Sequence, residues 1–264
     1  MKITSVNVWT VVVPTIPGRV HSPEYVPKTG WDEVAKHIIR LDTDTEYSGI
    51  GESWRGVSLE QIGEGAKRLI GRDPEGLTLQ SLFTLRQDCS EETINAEYGP
   101  AYDAYEMAIM DLIGRIRNLP VHALLGGAVR DQVRADYWMG HQTPEDGQKA
   151  VERALRLGFK GVKIKCRIQE PMYERLKAMR DVGGSEFKVT VDPNERFYTA
   201  SQTISLAERL EPLGNVEVFE DPIPKTDIEG YEEIHRAIPF PLAMHLGESS
   251  DVVRALQADG GKGV

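Results

Sequence analysis

Apolar positions shift their period through the first half of the chain and repeat one rhythm through the second. Residues 2–13 alternate like a strand and stop at Pro14. Residues 34–42 and 47–52 alternate again around polar Thr43–Glu46, which predicts a hairpin. Gly49 and Gly51 in its second arm predict a close backbone approach or a bulge. Ser58 opens a helical stretch to Ile70, closed by Gly71, and a second helix is predicted over 77–87. Over 99–117, Ala101, Ala104, Tyr105, Ala108, Leu112 and Ile116 recur at helical spacing, and the small residues predict tight packing. The stretch LPVHALLGG at 119–127 breaks that pattern. Strands first and helices second make residues 1–127 an α+β unit.

Beyond residue 127 strands and helices alternate strictly. RADYW (134–138) predicts a strand, and Thr143-Pro144-Glu145-Asp146 a capped helix start with acids in the first turn. GVKIKC (161–166) is a strand, and Met172, Leu176 and Met179 line a helix stopped at Gly183-Gly184. KVTVD, VEVFE and PLAMHL are three more strands. Helices follow them, lined by Ile204, Ala207 and Leu210, then by Ile228, Tyr231, Ile234 and Ile238, with a last one from about Ser250 to Ala258. Five strand–helix units over 128–264 predict a parallel sheet with right-handed crossovers. An open doubly wound sheet and a TIM-type (β/α) barrel both fit, but no glycine-rich phosphate fingerprint follows the first strand, which lowers the open-sheet reading.

Spacing sharpens this. Lys165 to Asp192 is 27 residues, and Asp192 to Glu220 and Glu220 to Glu248 are 28 each. A period of that size suits one strand, one helix and two short loops. In a parallel barrel the strand C-termini carry the chemistry. Here they carry Lys163 and Lys165, Asp192 and Asn194, Glu220 and Asp221, and Glu248. Lys163 and Lys165 share a side of their strand, as do Asp192 and Asn194. Carboxylates converging from neighbouring strands repel unless a cation sits between them, and an all-oxygen set favours Mg²⁺. The lysines are poor metal ligands but can serve as a base and its partner, a lysine near cations having a lowered pKa. Asp221, one residue off Glu220, is read as a cap for the next turn. His245 is opposite in parity to Glu248, so both face one metal only if Gly247 bulges; it remains open as a ligand or an acid–base group.

Composition narrows the partners. The chain has 264 residues and a net charge of −10, which argues against nucleic acid or an acidic membrane as main partner. Cys89 and Cys166 form no framework, no apolar run approaches the ~20 residues of a span, and no export signal is present. A cytoplasmic setting is expected. The loop over 14–30 is long, and long loops in compact domains are often functional.

The pieces SGIGES, AYDAYEMAIMDLIGRIRNLPVHALLGG, KIK, VDPN, FEDP and LGE, in this order, resemble the enolase superfamily, specifically its mandelate racemase and muconate-lactonizing branch. The resemblance covers essentially the whole chain. It implies an α+β capping domain (1–127) over a metal-binding (β/α) barrel (128–264). It implies Mg²⁺ on Asp192, Glu220 and Glu248, Lys165 with Lys163 in the acid–base machinery, and Asn194 in support. Capping loops at 14–30 and 52–57 would close over a small carboxylate, with Arg19, Tyr25, Trp54 and Arg55 beside it and His141 and His245 as further contacts. The chemistry implied is removal of a proton α to a carboxylate through a metal-stabilised enediolate. Dehydration of an acid sugar or hydroxy acid is preferred, because Arg19, His21, Lys28 and Arg55 suit a hydroxylated acid; racemisation or cycloisomerisation is the alternative. A homo-oligomer is expected. Five strands are present where a barrel has eight, so the barrel is expected to be incomplete in this sequence, without its second acid–base group. The rival reading of another class is an inactive, truncated relative that only binds ligand or metal. A barrel hydrolase is disfavoured, because the six histidines show no metal-ligand pairing.

Overall fold

A computed structural model describes residues 1–16, 18–25, 33–77, 100–246 and 252–253. The chain divides into two compact units. One holds Met1–Pro14 and Glu33–Val133, the other Thr15–Asp32 and Arg134–Val264. Among the described residues no helix is long and apolar enough to cross a membrane.

The first unit is an antiparallel sheet against helices. Strand β1 (Ile3–Pro14) pairs with β2 (Glu33–Thr43), and β2 with β3 (Ser48–Glu52), giving the order β1-β2-β3. Helix α1 (Leu59–Leu69) begins at a capping box in which Ser58 and Gln61 satisfy each other's backbone N–H groups. Helix α2 (Pro100–Arg117) is followed by the single turn α3 (Val121–Leu124). The glycines of β3 have a steric cause. A Cβ on Gly49 would lie 2.1 Å from the Ala108 carbonyl oxygen, and one on Gly51 would lie 2.0 Å from that of Ala104. Glycine on the strand and alanine on the helix together let β3 and α2 meet at backbone distance. The helix expected over 77–87 lies outside the described residues beyond Leu77.

The second unit alternates as its pattern dictates: β4 (Tyr137–Met139), α4 (Pro144–Arg156), β5 (Gly161–Lys165), α5 (Met172–Gly183), β6 (Lys188–Asp192), α6 (Ala200–Leu210), β7 (Val216–Glu220), α7 (Ile228–Ala237) and β8 (Leu242–Ala243). All neighbours pair in parallel, in the order β4-β5-β6-β7-β8. An order that never reverses has no switch point, which is the barrel-type winding and not the doubly wound one. The first strand starts later than its sequence suggests: residues 134–136 are outside it, and Arg134 instead pairs with Asp136 and Glu217. Helix α4 opens with Thr143 accepting from the Asp146 N–H and proline at the first position. Of the last predicted helix, Val252 and Val253 are described and helical.

One register detail positions the site. Val189 lies opposite Val216, but Thr190 lies opposite Val218 and Val191 opposite Phe219. Strand β7 therefore carries one extra residue, a bulge at Glu217. Val216 and Phe219 both belong to the buried apolar cluster, although three residues apart. A regular strand would send them to opposite faces. The bulge puts Phe219 among the helices and leaves Glu220 level with Asp192.

Candidate active site

Residues Val162, Ile164, Val189, Val191 and Phe219 pack into the core under the helices. The alternate residues of the same strands form the other face. Lys163, Lys165, Asp192 and Glu220 all lie there, and the structure brings them into direct contact. Lys163 Nζ is 2.5 Å from Glu220 Oε1 and 3.0 Å from Asp192 Oδ2. Lys165 Nζ is hydrogen-bonded to Asp192 Oδ2, and lies 2.7 Å from Asn194 Oδ1. Asp192 is fully buried, and its Oδ1 also accepts the Asn194 N–H at 3.0 Å.

These contacts fix the electrostatics. Burial pushes the Asp192 carboxyl up, but hydrogen bonds from Lys165 and Lys163 outweigh it and hold the carboxyl below its ordinary value. Burial likewise disfavours the Lys163 ammonium, but Glu220 and Asp192 outweigh it, and its pKa is raised. Carboxylates face Lys163 directly, and they set the direction of its shift.

The backbone around the cluster is constrained. Asn194, Glu195, Tyr198 and Asp221 all have positive φ without being glycine. Asp221 is buried, and its Oδ1 accepts the His245 N–H at 2.7 Å. It therefore caps the end of β8, not the turn that follows it. Its carbonyl accepts from Glu195 at 2.7 Å, tying the loop after β6 to the end of β7. The period also changes here. Phe219 pairs with Leu242 and Glu220 with Ala243, so Glu248 stands five residues beyond the level of Glu220. Glu248 and Gly247 lie outside the described residues, as does Lys28. His245 is exposed; its ring, Glu220 and Asp221 each offer a ligand atom, all within 4.8 Å of one another.

The donors fit a hard divalent cation. Asp192 and Glu220 end adjacent strands, and the single charge of Lys163 already lies against both carboxylates. Oxygen pairs of this kind suit Mg²⁺, whereas the imidazole of His245 suits a softer metal.

A second set of polar groups surrounds the end of β4. His141 and Glu170 are buried, with Nδ1 2.5 Å from Oε1. Arg175 has no exposed surface, and its guanidinium donates to the carbonyls of Gly140 at 2.7 Å and Lys165 at 3.0 Å. The segment 18–25 packs on this edge. Gly140 N–H donates to Val20, Ser22 N–H to His141, and Gln142 Nε2 to the Arg19 carbonyl. Tyr25 is half-buried near Glu170, and burial first, then that acid, raises its phenol pKa. Trp54 and Arg55 belong to the first unit, where the Trp54 ring carries Lys36 Nζ at 5.7 Å and Arg55 Cζ at 6.0 Å. Arg175 and Glu170 shape the site but carry no motif that singles them out in the sequence. A signal existed for Arg175, which falls in the stripe Met172, Leu176, Met179 and must therefore be buried.

Parallel strands ending in opposed lysines and carboxylates define a class of protein, and comparison with known proteins agrees with it. Residues 146–263 match the family described as enolase C-terminal domain-like. Over those residues the chain is similar to the enolase superfamily, in its mandelate racemase and muconate-lactonizing branch. It is 23% identical to an N-succinyl-L-Arg/Lys racemase of Bacillus cereus, over 95% of this chain and 67% of that protein. It is 31% identical to an arabinonate dehydratase of Saccharolobus solfataricus, over 52% of this chain and 38% of that protein. A solved dipeptide epimerase of Enterococcus faecalis, complexed with Mg and a dipeptide, has a TM-score of 0.80 and 24% identity, over 99% of this chain and 73% of that one. Matches reach from 38% to 67% of the length of the curated relatives. Those relatives are racemases, epimerases and acid-sugar dehydratases.

Proposed function

We propose that the protein removes the proton α to the carboxylate of a small acid with Lys165 as base, and that the reaction is dehydration of an acid sugar or related hydroxy acid. The observation that carries this is the convergence of Lys163 and Lys165 on Asp192, Asn194 and Glu220 at adjacent strand ends. A proton α to a carboxylate is barely acidic, and Mg²⁺ held by Asp192, Glu220 and Glu248 would supply the positive charge that stabilises its loss. Lys165 Nζ is held from two sides by Asp192 and Asn194, which fixes its direction. As an ammonium it must first give up a proton to act as a base. Lys163 bridges the two acids and keeps a positive charge beside them. Arg19, Tyr25, Trp54 and Arg55 are proposed to set specificity, residues 1–127 to act as the capping domain and 128–264 as the barrel, and the protein to work as a homo-oligomer in the cytoplasm.

Dehydration is supported by the 31% identity to arabinonate dehydratase and by a 26% identical D-gluconate dehydratase of Thermoproteus tenax. A second reading returns the proton to the same carbon, giving racemisation or epimerisation. The likeness to the N-succinyl-L-Arg/Lys racemase, which runs over 95% of this chain, favours it. The test is deuterium exchange at the α-carbon, measured by NMR with Mg²⁺ in D₂O across aldonates and N-acyl amino acids. Exchange with loss of a hydroxyl selects dehydration, exchange with inversion selects the second reading, and exchange with none of these acids removes both.

A further inference from the structure

The buried group at the end of β4 has the form of an acid–base site. Nδ1 of His141 lies 2.5 Å from Glu170 Oε1, and Arg175 Nη1 donates to the other carboxylate oxygen at 3.4 Å. A carboxylate that accepts at both oxygens makes Nδ1 the donor, so the proton sits there and Nε2 is the basic nitrogen. Among the described residues the His141 ring makes its hydrogen bond through Nδ1. A histidine oriented through one nitrogen by a buried acid is the arrangement that presents the other nitrogen to a reacting group.

The same guanidinium ties this pair to the main chain where β5 ends. Arg175 Nη2 donates to the Gly140 carbonyl and Nη1 to the Lys165 carbonyl. Strands β4 and β5 are parallel neighbours, with Met139 opposite Ile164. His141 therefore leaves β4 on the sheet edge where Lys165 ends β5. Its ring is flanked by His21 and Tyr25, each with its centroid 6.2 Å away. The charged and titratable groups facing it are thus Glu170, Arg175, His21 and Tyr25.

We propose that His141 is a second acid–base residue of this site, positioned by Glu170 and Arg175, and that it protonates the leaving hydroxyl of the substrate. This rests on the reading that Lys165 removes the α-proton. The step balances as follows. Lys165 Nζ takes the α-proton, and the C–H electron pair becomes a carbon–carbon double bond. The bond from the β-carbon to its hydroxyl oxygen breaks with its electrons on oxygen. His141 enters this step as the imidazolium, its Nε2 having taken a proton from solvent water; the departing oxygen takes that Nε2 proton and leaves as water, and His141 is left neutral with Nδ1–H on Glu170.

The experiment separates the two proton transfers in the full-length protein with Mg²⁺, using arabinonate and gluconate as probes. Exchange at the α-carbon reads Lys165, and formation of the dehydrated product reads His141. His141→Asn should lower product formation roughly a hundredfold or more while exchange stays within about threefold. The pH profile of product formation should lose its imidazole limb in that variant. Glu170→Gln should lower product formation by less and shift the limb. Independently of activity, ¹⁵N spectra of the wild-type protein should show His141 protonated at Nδ1 when neutral. Thermal melting of each variant controls for folding. An Nε2–H tautomer overturns the proposal. So does an unchanged product rate in His141→Asn, an equal fall of exchange and product with a lower melting temperature, or a wild type that exchanges without eliminating. A wild type that exchanges neither acid overturns the underlying reading as well, and is recognised because no variant is needed to see it.

Discussion

The two units bury different things. In the first, the core is apolar and the buried polar groups among the described residues bond within the unit: His37 bonds to Thr10 and the Val57 carbonyl, and Ser53 accepts from the His37 N–H. Its ion pairs, such as Lys36–Glu52 and Arg115–Asp111, lie on side chains that solvent reaches. The second unit buries Arg175, Asp192, Glu170 and Asp221. Burying charge contributes little or nothing to net stability even when it is paired. A unit that does so at one sheet edge, beside four non-glycine residues with positive φ, has given up stability there for geometry. The first unit is arranged for packing and the strand ends of the second for chemistry.

Substitutions can break that contrast. The largest effect is expected at Lys165. Lys165→Ala should lower α-carbon exchange roughly a thousandfold while leaving the urea midpoint nearly unchanged. A thousandfold is about 4 kcal/mol in barrier height. Exchange that persists at the full rate removes Lys165 from the base role. In the first unit the corresponding insult is steric. Gly51→Ala puts a methyl 2.0 Å from the Ala104 carbonyl and should cost about 3 kcal/mol in urea unfolding. An unaltered midpoint would mean that α2 can retreat from β3.

Smaller effects probe the latch of segment 18–25. Ser22 is buried, donates to Asp146 Oδ2 at 2.6 Å and accepts from the Thr143 N–H at 2.9 Å. Ser22→Ala should cost about 1.5 kcal/mol near neutral pH. The Ser22 hydroxyl is the first cause holding the Asp146 carboxyl below its ordinary value. A depressed carboxyl contributes stability above its unfolded pKa and loses it as pH falls through the folded one. The gap between wild type and Ser22→Ala should therefore narrow below about pH 4, as followed by thermal melts from pH 7 to 2.5. A gap that widens toward acid would refute the link to Asp146. Least of all, Ser58→Ala should remove about 1 kcal/mol by opening the capping box of α1.

Much of this was legible in the residues. The glycines of β3, the Ser58 and Thr143 caps and the strand-end parity of Lys163 and Lys165 follow from local rules, and each stands where those rules put it. Long-range consequences were harder to read. The expected strand at 134–138 begins at Tyr137, and the Arg134 side chain ahead of it pairs with Asp136 and Glu217. The even 28-residue spacing from Glu220 to Glu248 suggests a third equal unit. The register instead sets Ala243 beside Glu220, since α7 and its loops are shorter than their predecessors. Nor does a sequence state which carboxylate a lysine will meet, so the raised pKa of Lys163 had no local sign.

The extra residue in β7 carries a further lesson about how this site is encoded. Asp192 and Glu220 are separated by one residue more than Lys165 and Asp192, and that increment is the bulge at Glu217. What matters at position 217 is then its occupancy more than its identity. Deleting it would exchange Phe219 and Glu220 between the faces, replacing an acid with a ring at the site while every named functional residue survived. An alignment that places the gap in α6 instead of β7 would keep the letters and lose the count.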